Sequence, residues 1–170
     1  IYGICEGLAQ RIIRLEEADG YRSAMTLSLL GTLRLLQHRF ADSLAVCEAG
    51  LKLSPPSFVL RINAASAANE QGLYEASAEH AREGLRFRPG FYKLQINVYE
   101  GEAHAGNFEA ARRAIESSHW EDSGATLADK QYALAWTSLE EAIMLMESNP
   151  ERSKAAATEA IELVSSLGPE

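Results

Sequence analysis

The sequence predicts an all-α protein, an α-solenoid of helix-turn-helix repeats, and two observations lead to this class. The first is a sustained spacing of about 34 residues, a period that is typical of arrays of helical hairpins. This interval separates Phe40 from Tyr74 and Tyr74 from Phe108. The second is that prolines recur at the same interval, at Pro55 and Pro89. Proline blocks the continuation of a helix, so a repeat is expected to end near each of them.

The first element is a predicted N-terminal helix over 1–20. Its apolar residues, among them Ile4, Leu8 and Ile12, recur at helical spacing. We expect this helix to be either the second helix of a degenerate earlier repeat or a cap on the solenoid. Because the chain begins with isoleucine rather than methionine, we also expect it to be part of a longer protein.

Three repeats follow, and a C-terminal helical hairpin completes a single domain. The repeats cover 24–57, 58–91 and 92–125, the hairpin covers 126–168, and the domain spans 1–170. Helix breaks are predicted near His38, Pro55, Gly72, Pro89, Gly106 and Asn149. Asn149 suits the N-cap of the last helix and Pro150 its first position. The last hairpin departs from the repeat length, as expected of an atypical capping unit at the end of a solenoid.

Small residues recur at fixed positions, counted from the start of each repeat. Position 8 is Gly31 and Ala65, position 20 is Ser43, Ser77 and Ala111, and position 27 is Gly50 and Gly84. This pattern resembles the tetratricopeptide repeat (TPR) family, although Tyr99 departs from it at position 8. The resemblance implies a right-handed superhelix whose first helices line a concave groove. The two glycines at position 27 predict that another backbone passes too close for a Cβ atom.

Charge and cysteine usage narrow the range of partners and compartments. The formal net charge is −8, which disfavours nucleic acid and anionic membranes and fits a protein or peptide partner. The sequence has no apolar run long enough to span a membrane and no signal-peptide pattern. Cys5 and Cys47 lie far apart, so we expect free thiols in a reducing compartment, the cytoplasm.

No residue pattern predicts catalysis, and we expect neither a cofactor nor a metal. The four histidines are isolated in the sequence, and no cysteine or carboxylate pair stands at metal-ligand spacing from them. Glu140 and Glu141 are adjacent, but neighbours on a helix point about 100° apart. We expect both on a solvated face. The sequence therefore predicts that the chain is not an enzyme.

The candidate binding residues follow from the TPR resemblance, which assigns the first helix of each repeat to the groove. Position 6 holds Leu29, Asn63, Asn97 and Gln131, and the other candidates are Lys93, Ser66, Asn69 and Glu100. The row at position 6 looks like the asparagine ladder in the TPR region of O-linked N-acetylglucosamine transferases. A carboxamide can donate to and accept from a peptide backbone at once.

A ladder of this kind makes a structural prediction. In the free protein, the amides of Asn63 and Asn97 would point into the groove without intramolecular partners. The alternative is that they bridge neighbouring helices. An apolar lip is also predicted at Met25, Leu29, Leu35 and Leu36, and the alternative for that lip is burial under the N-terminal helix.

The predicted function is a scaffold for protein binding: a helical TPR module that holds a peptide or helix in its concave groove. The alternative is a regulatory or self-association domain of a larger signalling protein, such as a transcriptional regulator or a nucleotide cyclase. The complete reading frame of the parent gene would separate these two.

Overall fold

A computed structural model describes residues 2–19, 23–118 and 126–167 of the chain. Within those ranges all regular structure is helical, as the sequence predicts. The helices are α1 (Tyr2–Ala18), α2 (Ala24–Leu36), α3 (Phe40–Leu53), α4 (Phe58–Asn69), α5 (Tyr74–Leu85), α6 (Tyr92–His104), α7 (Phe108–Ser117), α8 (Leu127–Leu145) and α9 (Pro150–Ser165). Every predicted break falls between two of these helices.

Three of the breaks share one backbone conformation. His38, Gly72 and Gly106 follow one another at the repeat interval and have φ values of 57°, 72° and 80°. Left-handed backbone of this kind ends a helix sharply, and glycine adopts it without strain. His38 takes the same conformation with a side chain, which histidine tolerates better than bulky or branched residues do. The turn of the first hairpin therefore has the same backbone geometry as the other two, although it has histidine in place of glycine.

The hairpins α2–α3, α4–α5, α6–α7 and α8–α9 stack in chain order, each against its neighbour. Successive first helices α2, α4, α6 and α8 pack against one another. The described second helices α3, α5 and α7 make no comparable contacts among themselves. Stacked hairpins that are closer on one side must curve toward that side. The first helices thus form the inner surface.

Glycines at the hairpin junctions leave room for side chains of the next repeat. A Cβ atom at Gly84 would lie 2.5 Å from Leu94 Cδ1, and one at Gly50 would lie 2.7 Å from Leu60 Cδ1. The prediction of a close backbone is wrong here, because a leucine side chain fills the space. Gly101 is a glycine that does meet backbone, since a Cβ atom there would lie 2.8 Å from the carbonyl oxygen of Tyr74.

Serines at position 20 join the two helices of the first two hairpins. Ser43 Oγ donates to the Gly31 carbonyl at 2.8 Å, and Ser77 Oγ donates to the Ala65 carbonyl at 2.9 Å. The third hairpin has Ala111 at position 20, which has no hydroxyl to make this bond, and Tyr99 in place of the small residue at position 8. Its ring is buried against Phe108, with further packing from α8. An aromatic core replaces the serine contact there.

Charged side chains fasten the last hairpin to α7. Arg112 Nη2 lies 2.7 Å from one carboxylate oxygen of Glu141 and 3.1 Å from Glu159. Arg152 binds the other oxygen of Glu141. Glu141 is only 3% exposed, so the prediction that it lies on a solvated face is wrong. Sequence adjacency to Glu140 gives no sign of this, because the two arginines come from α7 and α9.

Candidate peptide-binding groove

The inner surface of α4 and α6 brings together five of the eight predicted groove residues: Asn63, Ser66, Asn69, Asn97 and Glu100. Adjacent first helices are offset along their axes. Asn63 at position 6 of α4 meets Thr32 at position 9 of α2, and Glu100 at position 9 of α6 meets Asn69 at position 12 of α4. This offset decides which polar groups face each other across the groove.

Asn63 is engaged within the protein. Its Nδ2 donates to Thr32 Oγ1 at 2.8 Å and approaches the Ser28 carbonyl at 3.5 Å. The expectation that this amide lacks an intramolecular partner is therefore wrong, and the bridging alternative describes it. Asn63 joins α4 to α2, and its buried amide is satisfied by that contact.

The equivalent pair one repeat later is open. Ser66 and Asn97 stand one repeat beyond Thr32 and Asn63. Asn97 is only 4% exposed, yet its Nδ2 and the Ser66 Oγ are both buried without a hydrogen-bond partner among the described residues. The hydrogen bond that joins α4 to α2 has no counterpart between α6 and α4. This leaves a buried donor on α6 and a buried hydroxyl on α4, each without a hydrogen bond.

A second pair of polar side chains, only partly hydrogen-bonded, lies one helical turn further along α4 and α6. Asn69 Nδ2 donates to Glu100 Oε2 at 3.4 Å, while Asn69 Oδ1 is buried without a partner among the described residues. Burial raises the pKa of the Glu100 carboxyl, and the nearby negative charge of Glu70 raises it further. The hydrogen bond from Asn69 only partly offsets these effects. No sequence spacing pairs Glu70 with Glu100, because their proximity depends on the offset between α4 and α6.

The remaining candidates lie away from this cluster. Lys93 is exposed in the first turn of α6. Leu29 is about half exposed on α2. Gln131 donates to Ser166 beyond the end of α9, at 3.4 Å, so it does not continue the row of amides. Its partner follows the second helix of its own hairpin and does not lie on the preceding first helix.

The apolar lip remains largely uncovered. Met25 is 82% exposed, and Leu29 and Leu36 are about half exposed, whereas Leu35 is partly buried. The N-terminal helix α1 does not lie over them, because it packs instead against Leu30 and Leu33 of α2. The lip is therefore open at the α2 end of the inner surface.

The described residues include no group of three or more histidine, cysteine or acidic side chains placed to hold a metal ion. None of the described helices combines the length and apolarity needed to cross a bilayer. Beside the apolar lip, the binding chemistry that the described groove offers is that of amides, hydroxyls and carboxylates.

Two solved structures resemble the chain over nearly its whole length. "MamA RS-1 ArsTM double mutant" has a TM-score of 0.61 and 13% identity, and the match covers 99% of this chain and 97% of that one. "MamA MSR-1 C2" has a TM-score of 0.68 and 12% identity, with 98% and 89% covered. MamA is a TPR-like helical repeat protein. The likeness confirms the predicted fold class, a TPR-like superhelix. No protein-family model matches the chain, and no curated protein does.

Proposed function

We propose that this chain is a non-catalytic protein-interaction module that binds an extended peptide segment of a partner between α4 and α6. The observation that carries the proposal is the set of unpartnered buried atoms there: Ser66 Oγ, Asn69 Oδ1 and Asn97 Nδ2. A buried polar group without a hydrogen bond costs about 1–3 kcal/mol. A ligand that satisfied these atoms, after their side chains rotated toward the groove, would remove that cost on binding.

The three atoms match the chemistry of a peptide backbone. Asn97 Nδ2 can donate to a carbonyl, Asn69 Oδ1 can accept from an amide, and the Ser66 hydroxyl can do either. An extended strand presents both kinds of group along its length. Recognition through the backbone would hold many sequences, which suits a scaffold.

Electrostatics supports a basic side chain in that peptide. Glu100 is held partly buried next to the negative charge of Glu70, and its pKa is raised. A lysine or arginine placed between the two carboxylates would stabilise the charged form of Glu100. Affinity is then expected to increase as pH rises through the pKa of Glu100, because the ionised carboxylate is the form that attracts the cation.

The proposed location is the cytoplasm, supported by two free cysteines, of which Cys47 is buried. Burial raises the pKa of the Cys47 thiol to about 12, so it stays protonated and chemically quiet. The alternative function, a regulatory or self-association domain, is favoured by a separate observation: apolar side chains are exposed on α1 and on the α8–α9 hairpin.

A displayed library of random peptides tests the proposal, because it does not require the partner to be identified first. We expect enrichment of peptides that carry lysine or arginine at one fixed place. With an enriched peptide, calorimetry on Asn97→Ala should show a loss of about 1 kcal/mol or more, the contribution of one hydrogen-bonding side chain. Asn107→Ala is the matched control, since this exposed asparagine lies in the turn between α6 and α7.

Asn63→Ala separates binding from structure. Because Asn63 is bonded to Thr32, we expect this change to lower stability more than it lowers peptide affinity. The proposal fails if the library yields no binder. It also fails if Asn97→Ala retains its fold and binds an enriched peptide as tightly as the original protein does.

A further inference from the structure

An apolar groove runs along the outer side of the last hairpin. It lies between α8 and α9, has a volume of about 470 Å³, and is lined almost wholly by carbon. Tyr132 and Leu139 of α8 and Ile161 and Val164 of α9 are each about half exposed or more. No described helix covers this face, since the close packing of α9 is with α8.

The stack itself shows what such a groove accepts. Within the array, the first helix of each hairpin packs on the hairpin before it. Leu94 and Val98, four residues apart on α6, pack with Ala65 of α4 and Ala81 of α5. The groove on the last hairpin is likewise lined by one alanine from each helix, Ala135 of α8 and Ala160 of α9. Its shape therefore fits a helix that presents apolar residues at intervals of four.

The opposite end of the chain presents such a helix. Ile4, Leu8, Ile12 and Leu15 form one stripe along α1, at intervals of four, four and three residues, and all are exposed. Ile4 is 71% exposed. The other face of α1, with Cys5, Ala9 and Ile13, packs on α2. The stripe thus points away from the protein and has no partner among the described residues.

The charges beside the two surfaces are opposite. Arg11 and Arg14 accompany the exposed stripe of α1. Its Glu6 and Glu16 are bound to α2 and to the residue before it, and its third acidic residue, Glu17, lies in the last turn of the helix. The groove-forming part of α9, from 157 to 165, carries Glu159 and Glu162. Glu159 is bound to Arg112, which leaves Glu162 as the acidic side chain of α9 available beside the groove. The arginines of α1 can therefore meet the carboxylate of Glu162 if the two surfaces come together.

We propose that α1 of one copy docks into the α8–α9 groove of a second copy, so that the solenoids join head to tail. The occupant would take the place that a further first helix would have in the array. Because the two surfaces differ and lie at opposite ends, the interface is heterologous and each added copy leaves a free groove and a free stripe. An interface of this type gives open chains unless the rotation closes a ring.

Sedimentation of this chain over a wide range of concentration tests the proposal, with one variant blocked at each surface. Leu8→Asp blocks the stripe and keeps the groove. Ile161→Asp blocks the groove and keeps the stripe. Both residues are exposed, so circular dichroism should show intact folds. We expect the original chain to form a concentration-dependent series of species. Each variant alone should associate at least about tenfold more weakly.

A mixture of the two variants gives the decisive result. One intact stripe and one intact groove remain between them, so we expect a one-to-one dimer that grows no further. If Leu8→Asp loosens α1, Arg11→Glu tests the same surface without altering its apolar face. The proposal is overturned if the original chain stays monomeric at every concentration. It is also overturned if the stripe-blocked variant pairs with itself as strongly as the original, which would indicate groove-to-groove pairing.

Discussion

The close approach of α5 and α6 makes a sharp stability prediction for Gly101→Ala. Alanine normally favours a helix over glycine by about 1 kcal/mol, and Gly101 lies well inside α6. Here the added methyl would lie 2.8 Å from the Tyr74 carbonyl oxygen, 3.1 Å from Ala78 Cβ and 3.2 Å from Ala78 N. Two of these three atoms are backbone, so α5 and α6 would have to separate.

The magnitude follows from two opposing contributions. Overpacking a tight interior costs about 1–3 kcal/mol, and rigid backbone neighbours place this site in the upper half of that range. Subtracting the gain in helix propensity leaves a net loss of about 1–2 kcal/mol. For a chain of this size, that corresponds to a fall in Tm of roughly 2–8 °C.

Urea unfolding followed by circular dichroism measures the effect, and Gly7→Ala supplies the matched control. A Cβ atom at Gly7 on α1 would meet nothing within 4 Å, so the same substitution should stabilise its helix by up to about 1 kcal/mol. The two changes are thus expected to have opposite signs. If Gly101→Ala raised stability as Gly7→Ala does, the close approach of α5 and α6 would be refuted.

Two further predictions concern buried carboxyls. Because the pKa of Glu100 is raised in the folded protein, the protein loses stability as pH rises from the unfolded pKa, near 4.5, through the folded pKa. Glu100→Gln should therefore stabilise the free protein increasingly toward neutral pH. Equal profiles of stability against pH for the variant and the original protein would contradict this. Burial raises the pKa of Glu141, but its bonds to Arg152 and Arg112 outweigh burial and hold it below the usual value. The stabilising effect of the Glu141 carboxylate should be present above pH 4.5 and lost as pH falls further, so Glu141→Gln should flatten the acid side of the plot of stability against pH. A loss of stability in the variant that is the same at every pH would contradict this prediction.

The sequence predicts the helix boundaries well because they depend on local chemistry. Gly72 and Gly106 adopt left-handed backbone that glycine favours, and Pro55 and Pro89 lie in the linkers that separate the hairpins. Each signal acts within a few residues and recurs at the repeat interval, so the register could be predicted from the spacing alone.

Contacts between helices could not be predicted in the same way. The partner of Asn63 is Thr32 of α2, and that pairing depends on how far one helix slides past the next. Gly101 gives no sequence signal, because the other repeats have Leu33 and Ala67 at the same position. The pairing of Glu141 with Arg112 joins residues 29 positions apart, outside the period of the repeat.

Each hairpin packs mainly on the hairpins next to it in the chain, and this determines how the solenoid can lengthen. Ser43 and Ser77 fasten the first two hairpins in the same way, and the third manages without that bond through its aromatic core. A duplicated second repeat could therefore be inserted between the second and third hairpins without redesign of the others, because the junctions on either side would each use a leucine and the glycine that receives it. The inner groove would gain a rung, while the two ends would keep their chemistry and merely move further apart.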